Sequence, residues 1–195
     1  PGLGTGQRAA LNLPLLFDPG TDWAYGVSTD WVGLAIEAAT GEDLASWMTA
    51  HLLSPLGMTS TAFAPTPDMQ ARHAGLGLRT PDGSLVPFEL PVPPTADFAG
   101  GGGGLHGTAS DYLRFLQMLL DGGNAPGGRI LKAETVAEMQ RNQLGHVAIR
   151  RLATAAPFLT HDLDMAAGGA AEWGLGFLLH PQGGPNGRRP GSLSW

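Results

Sequence analysis

No cysteine occurs among the 195 residues. That excludes a disulfide framework, a thiolate nucleophile and every cysteine-based zinc site. Only one lysine is present, Lys132, and the residue three before it is Arg129. A serine placed one helical turn before a lysine, whose amine could take the hydroxyl proton, is therefore missing. A Lys-Thr-Gly triplet is missing for the same reason. Basic residues are scarce, and the pairs Arg150-Arg151 and Arg188-Arg189 are the densest basic points in a chain of net charge −6. Nucleic acid is a poor partner for such a surface. No apolar run approaches the roughly 20 residues that span a bilayer, and no leader is visible at Pro1. These features fit a soluble protein of cytoplasmic or periplasmic setting, with the natural start expected to lie before Pro1.

What the chain does hold is loop chemistry and periodic apolar segments. Glycine and proline number 30 and 16, and hydrophobic residues make up 43%. Such a chain can bury a core, and we expect a single domain over residues 1–195. Four helices are predicted. The first spans Ser28–Thr40, capped by Ser28 or Thr29 and ended by Gly41, with Trp31, Val32, Ala35, Ile36 and Ala39 inward. The second spans Glu42–Leu53, with Leu44, Trp47, Met48, His51 and Leu52 on one face and Pro55 as its stop. The third opens at Thr108, where Thr108-Ala109-Ser110-Asp111 has capping-box spacing with Asp for Glu. Its expected buried stripe is Tyr112, Phe115, Leu116 and Leu119, before Gly122-Gly123. The fourth covers Ala133–Gln143, with Val136 and Met139 inward.

Between the second and third helices, Thr59–Gly107 is rich in turn residues. Pro81-Asp82-Gly83 predicts a hairpin of Leu76–Arg79 with Leu85–Phe88. Loops this long are usually functional or wrap over another domain. Arg141–Ala171 reads mostly as loop, Trp173–His180 as a strand, and Ser192–Trp195 as the beginning of another. A strand cannot bury its backbone polar groups unpartnered. The expectation is therefore a chain cut within a sheet.

The motifs that carry chemistry narrow quickly. Gly26-Val27-Ser28-Thr29-Asp30 lacks the last glycine of a Gly-x-Ser-x-Gly elbow, so Ser28 reads as a helix cap. The six histidines form no His-Glu-x-x-His array, and His161-Asp162-Leu163-Asp164 reads as a polar loop; no metal or cofactor is implied. The run Gly100–Gly104 lacks the Gly-Lys-Ser/Thr of a phosphate cradle and reads instead as backbone freedom and close approach. Tyr25 remains. A free phenol titrates near pH 10, too high for an efficient neutral-pH base, unless a cation or an amine relay assists it. On its own it reads as an aromatic anchor at the start of a helix.

The ordered set of short motifs resembles one family. It comprises Pro14-Leu15-Leu16-Phe17-Asp18-Pro19-Gly20-Thr21, Trp23, Tyr25, Asp30-Trp31-Val32-Gly33, Ala39-Thr40-Gly41 and Pro55-Leu56-Gly57-Met58. It continues with Ala99 to Leu105, Thr108 to Tyr112, Phe115, Met118 to Gly123, Arg129-Ile130-Leu131 and Trp173 to Phe177. Together these are similar to the serine β-lactamase and penicillin-binding-protein superfamily, over residues 10–140 and 172–195. The branch they resemble most is the class C β-lactamase-like esterases, the family VIII carboxylesterases.

The resemblance implies an α+β fold of the β-lactamase/D,D-peptidase type. Of that fold this chain would supply the central helical region and part of the antiparallel sheet, incomplete at both ends. It implies a serine nucleophile in Ser-x-x-Lys, earlier in the chain than Tyr25, and no metal or cofactor. Tyr25 then carries over as the catalytic proton-transfer residue. Val27 stands where an Asn would donate to a substrate amide, which favours an ester over a β-lactam. Trp195 stands where the third motif of the esterases begins. The expected activity is ester hydrolysis through an acyl-enzyme on a small-molecule substrate. Without the nucleophile segment, the 195 residues alone are expected to be inactive. A β-lactamase or D,D-peptidase on the same scaffold, and a non-catalytic homologue, are the alternatives.

Overall fold

Helix α1 (Ser28–Thr40) ends as its sequence dictates. Gly41 adopts φ 75° and its N–H reaches Glu37 O at 2.9 Å, the left-handed closure that a side chain would disfavour. Its start differs from expectation. Val27, not Ser28 or Thr29, is the cap residue, and no side chain caps the helix. The first turn is secured by Asp30 instead, whose carboxylate accepts the Gly102 N–H at 2.9 Å. A carboxylate here also complements the helix dipole.

The buried side of α1 is also not the expected one. Trp31 and Val32 are exposed, and Gly33 is the position that is buried. A Cβ on Gly33 would lie 2.9 Å from Leu44 Cδ2, and one on Gly101 only 2.2 Å from Thr29 O. The glycine run thus packs backbone against backbone on the opening turn of α1, which uses its narrowest position for contact rather than its apolar stripe. Gly101→Ala is expected to destabilise the protein by about 1–3 kcal/mol through overpacking. Gly103→Ala, with nothing within 4 Å of its Cβ, is expected to stay within about 0.5 kcal/mol of wild type. Urea unfolding of both variants checks this pair, and equal midpoints would contradict it.

The computed structural model describes residues 5–89, 96–154, 160–165, 171–184 and 187–195. Parts of the stretches Thr59–Gly107 and Arg141–Ala171 lie outside these. The chain divides into two units. One comprises Pro1–Pro14, Gly26–Asp121 and Ala125–Ile130, and the other Leu15–Tyr25, Gly122–Asn124 and Leu131–Trp195.

In the first unit, a short 3-10 turn (Arg8–Leu11) buries Ala10 and Leu11, while Arg8 pairs with Glu37 at 2.8 Å. Helix α2 (Leu44–Met48) is capped by Asp43, which accepts the Ser46 N–H, and runs into one π turn, Thr49–Leu53. The extra residue in that turn rotates the buried face. Leu53 is therefore buried, and His51 is exposed rather than inward. Helix α3 (Pro67–Ala71), not anticipated, starts with Thr66 as cap and Pro67 in the first turn. Strands β1 (Leu76–Arg79) and β2 (Leu85–Phe88) pair antiparallel with Arg79 opposite Leu85, the predicted hairpin. Asp82 closes its turn, its carboxyl drawn down to about 2 by the Thr80 hydroxyl and the Ser84 N–H.

Helix α4 (Ala109–Leu120) has half of the expected capping box, in that Thr108 Oγ1 accepts the Asp111 N–H at 3.2 Å. The Asp111 carboxylate makes its contacts elsewhere, accepting from Ser60 N at 2.8 Å, Thr61 Oγ1 at 3.0 Å and Arg114 at 3.1 Å. Met118 and Leu119 are buried, whereas Tyr112 is half exposed and rests on Phe115. Strands β3 (Asn124–Ala125) and β4 (Gly128–Arg129) are two residues each.

In the second unit, helix α5 (Ala133–Met139) is shorter than expected, because the Met139 carbonyl accepts the Leu175 N–H at 3.0 Å. Val136 is buried and Met139 half-buried. Trp173–His180 is not one strand but a hairpin. Strand β5 (Glu172–Trp173) turns through Gly174–Phe177, with Gly176 at φ 87°, into β6 (Leu178–His180). Strand β7 (Ser192–Ser194) pairs on the other side of β6, giving the antiparallel order β5-β6-β7. Ile149, Met165 and Leu178 form the core, with Trp23, Leu144, Leu152, Ala171 and Trp173 packed around it. No helix among the described residues is long and apolar enough to cross a membrane.

Candidate active site

The approach to Tyr25 is built by a turn. In Asp18-Pro19-Gly20-Thr21, proline presets φ and Gly20 takes φ 82°, the pattern of a type II turn. Both the Thr21 N–H and its hydroxyl close on Asp18 O, at 3.1 and 2.7 Å. Asp22 then accepts the Trp23 N–H at 2.9 Å and meets Arg150 at 3.3 Å. These contacts lie within the second unit, and Trp23 packs on its core beside Trp173, ring centroids 5.4 Å apart.

From there an aromatic row runs to the surface. Trp173 meets Trp195 edge to face at 4.7 Å, and Trp195 meets Tyr25 at 5.2 Å. Such separations and tilts are those at which aromatic pairs attract beyond simple burial. Tyr25 and Trp195 are 58% and 52% exposed, so the row ends in a solvent-facing phenol–indole pair. Two of the three residues singled out in the sequence, Tyr25 and Trp195, are thus neighbours. The third, Val27, is half-buried at the cap of α1 and belongs to the other unit. The single lysine, Lys132, sits at the start of α5, exposed and 4.0 Å from Glu134.

One buried group went unrecognised in the sequence. His180, counted there among scattered histidines, is 5% exposed at the end of the central strand β6. Its Nε2 lies 2.8 Å from Ser194 Oγ, on β7. Burial, and secondarily the Arg188 guanidinium, lower its pKa below the ordinary histidine value. Both favour the neutral imidazole. A signal existed: once the strands pair with His180 opposite Ser192, alternation places Ser194 on the same face as His180. The sequence alone does not supply that register. Among the described residues no three His, Asp or Glu side chains converge as a metal site.

The chain combines helices with antiparallel sheets, an α+β composition, and comparison with known proteins defines the family. Residues 5–195 match the Beta-lactamase family, and the chain belongs to it. It is 35% identical over 156 residues to lovastatin esterase of Penicillium rubens, covering 75% of this chain and 38% of that protein. It is 30% identical over 199 residues to monacolin J acid methylbutanoyltransferase of Aspergillus terreus, covering 97% of this chain and 47% of that protein. Among solved structures, unliganded simvastatin synthase (LovD) of Aspergillus terreus superimposes with a TM-score of 0.72 at 29% identity. That match covers 95% of this chain and 46% of the other. The chain thus spans between about two fifths and one half of the length of these relatives. The fold is that of β-lactamases and penicillin-binding proteins.

Proposed function

We propose that these residues form the proton-transfer and substrate-facing part of a serine acyl-transfer enzyme that cleaves small-molecule esters. The observation that carries this reading is Tyr25 packed on Trp195 at an exposed surface. The names of the relatives, an esterase and an acyltransferase, agree with ester chemistry. In the proposed cycle a serine from a Ser-x-x-Lys segment outside the 195 residues attacks the ester carbonyl. The tetrahedral oxyanion collapses, expelling the alcohol and leaving an acyl-serine. Tyr25, in a relay with the lysine of that segment, passes the serine proton to the departing alkoxide. Water, or a second alcohol, then takes the acyl group by the same path reversed.

Val27 supports an ester over a β-lactam, because valine offers no donor to a substrate amide. Full-length protein is expected to turn over a short-chain nitrophenyl ester faster than nitrocefin. Val27→Asn is expected to raise nitrocefin kcat/KM about tenfold, the worth of one net hydrogen bond. Faster nitrocefin than ester turnover in the wild type would establish the β-lactamase alternative. Turnover of neither would establish a non-catalytic homologue.

A further inference from the structure

We propose that His180 is a positioning residue that, while uncharged, fastens Ser194 and so holds Trp195 against Tyr25, and that its protonation loosens this face of the sheet. The proposal rests on the reading of Tyr25 and Trp195 as part of the site. Four observations carry it. His180 is buried at the end of the central strand, and its ring bonds across to Ser194 Oγ at 2.8 Å. Ser194 directly precedes Trp195, whose indole touches both Tyr25 and Trp173. Among the described residues, strand β7 lies at the edge of the three-stranded sheet and pairs with β6 through three residues. The backbone carbonyl of His180 also gathers the following loop, accepting Gly183 N at 3.1 Å and Gly191 N at 2.9 Å. His180 thus joins the loop, the edge strand and the aromatic row.

The packing leaves the ring little freedom. A Cβ on Gly184 would fall 2.7 Å from His180 Nδ1, so Gly184 lies directly on the imidazole. The charged groups around it do not welcome a proton. Arg188 acts on it from the loop, and β7 offers the uncharged Ser194. Glu172 of β5 stands opposite Leu179, and so points to the other face of the sheet from His180. A proton on His180 would place a charge in a buried site where the Arg188 guanidinium also disfavours it. The least costly relief is to open the edge strand and its loop, where few contacts must break.

The sign follows from linkage. The folded-state pKa is depressed, so the stabilisation is full above the ordinary value of about 6.5 and is lost as pH falls through the folded value.

The test is near-UV circular dichroism of the protein, reading the component that Trp195→Phe removes. As the pH is lowered from 8 the wild type is expected to lose that component, with a midpoint below about 6.5. His180→Gln keeps a side-chain donor and acceptor but cannot be charged, and is expected to keep the signal with no pH dependence. Ser194→Ala is expected to have a weak signal throughout. A wild-type signal that stays flat, or a His180→Gln signal that titrates like wild type, overturns the proposal. If His180→Gln does not fold, nitrogen-15 NMR of the ring decides. The His180 midpoint in Ser194→Ala should rise towards about 6.5, and an unchanged midpoint overturns the proposal. These readouts need no substrate, so absence of ester turnover would overturn the ester reading without touching this one.

Discussion

In the full-length protein, Tyr25→Phe is expected to lower kcat for a nitrophenyl ester by about 10²–10⁴-fold, the usual worth of a positioned acid–base group, with little change in KM. The substitution suits the question because it deletes one oxygen. The ring remains, and its packing on Trp195 at 5.2 Å depends on the ring face rather than the hydroxyl. Since Tyr25 is 58% exposed, removing its hydroxyl strands no buried partner, and the fold should be unaffected. A large loss of kcat at unchanged thermal stability would therefore be chemical in origin. In the proposed cycle the hydroxyl acts in the transition state, passing a proton between serine and leaving group. Its loss should appear in kcat and in kcat/KM alike. A variant that turns over at the wild-type rate would remove Tyr25 from the mechanism and leave it as an aromatic anchor.

The sequence makes some of this architecture legible because certain residues have few conformational options. Gly41 ends α1 where expected since only a residue free of Cβ strain takes φ 75° without cost. Pro81-Asp82-Gly83 fixes the register of β1 and β2 because the turn leaves one way for the strands to meet. Errors arose where tertiary contact overrode local pattern. Trp31 and Val32 carry the apolar periodicity of α1, yet Gly33 makes its contacts, because backbone approach by Gly101 needs an absent side chain. A single π turn after α2 shifted the buried residue by one position, and no periodicity argument contains such a turn. The glycines of Trp173–Phe177 mark a bend that an apolar run obscures.

The site divides in the same way. The order of motifs singles out Tyr25 and Trp195 by resemblance, and the structure shows that their rings are neighbours. The His180–Ser194 bond depends on a strand register between residues 14 apart, which the sequence does not state.

Asp111 shows how far a local rule can mislead about energy. As the last member of a capping box it would be worth a few tenths of a kcal/mol as a dipole-complementing carboxylate, up to about 1 kcal/mol. The structure gives it a larger task. The residue is 3% exposed, and one oxygen accepts both Ser60 N–H and the Thr61 hydroxyl, while the other faces Arg114. Arg114 in turn donates to the Gly57 carbonyl, where the chain takes φ 66°. One carboxylate thus ties residues 57–61 to the first turn of α4. Asp111→Ala removes the acceptor for two part-buried donors and leaves Arg114 without its anion. Arg114 is half exposed and water can take over that charge, so the cost lies mainly with Ser60 and Thr61.

Hydrogen bonds to a charged group contribute about 1.5–3 kcal/mol each, and they share one acceptor here, so a loss of about 3 kcal/mol is expected. For a protein of this size that corresponds to a Tm lower by roughly 6–12 °C. Asp111→Asn keeps one acceptor oxygen for Ser60 N–H but turns an amide towards Arg114. Its expected cost is about 1 kcal/mol. Arg114→Ala should cost less than Asp111→Ala, since the buried Asp111 carboxylate still accepts from Ser60 N–H and the Thr61 hydroxyl. Differential scanning calorimetry of the three variants gives the ranking directly. If Asp111→Ala lies within about 0.5 kcal/mol of wild type, the carboxylate is an ordinary first-turn charge, and residues 57–61 must be held by apolar packing through Leu56 and Met58 instead.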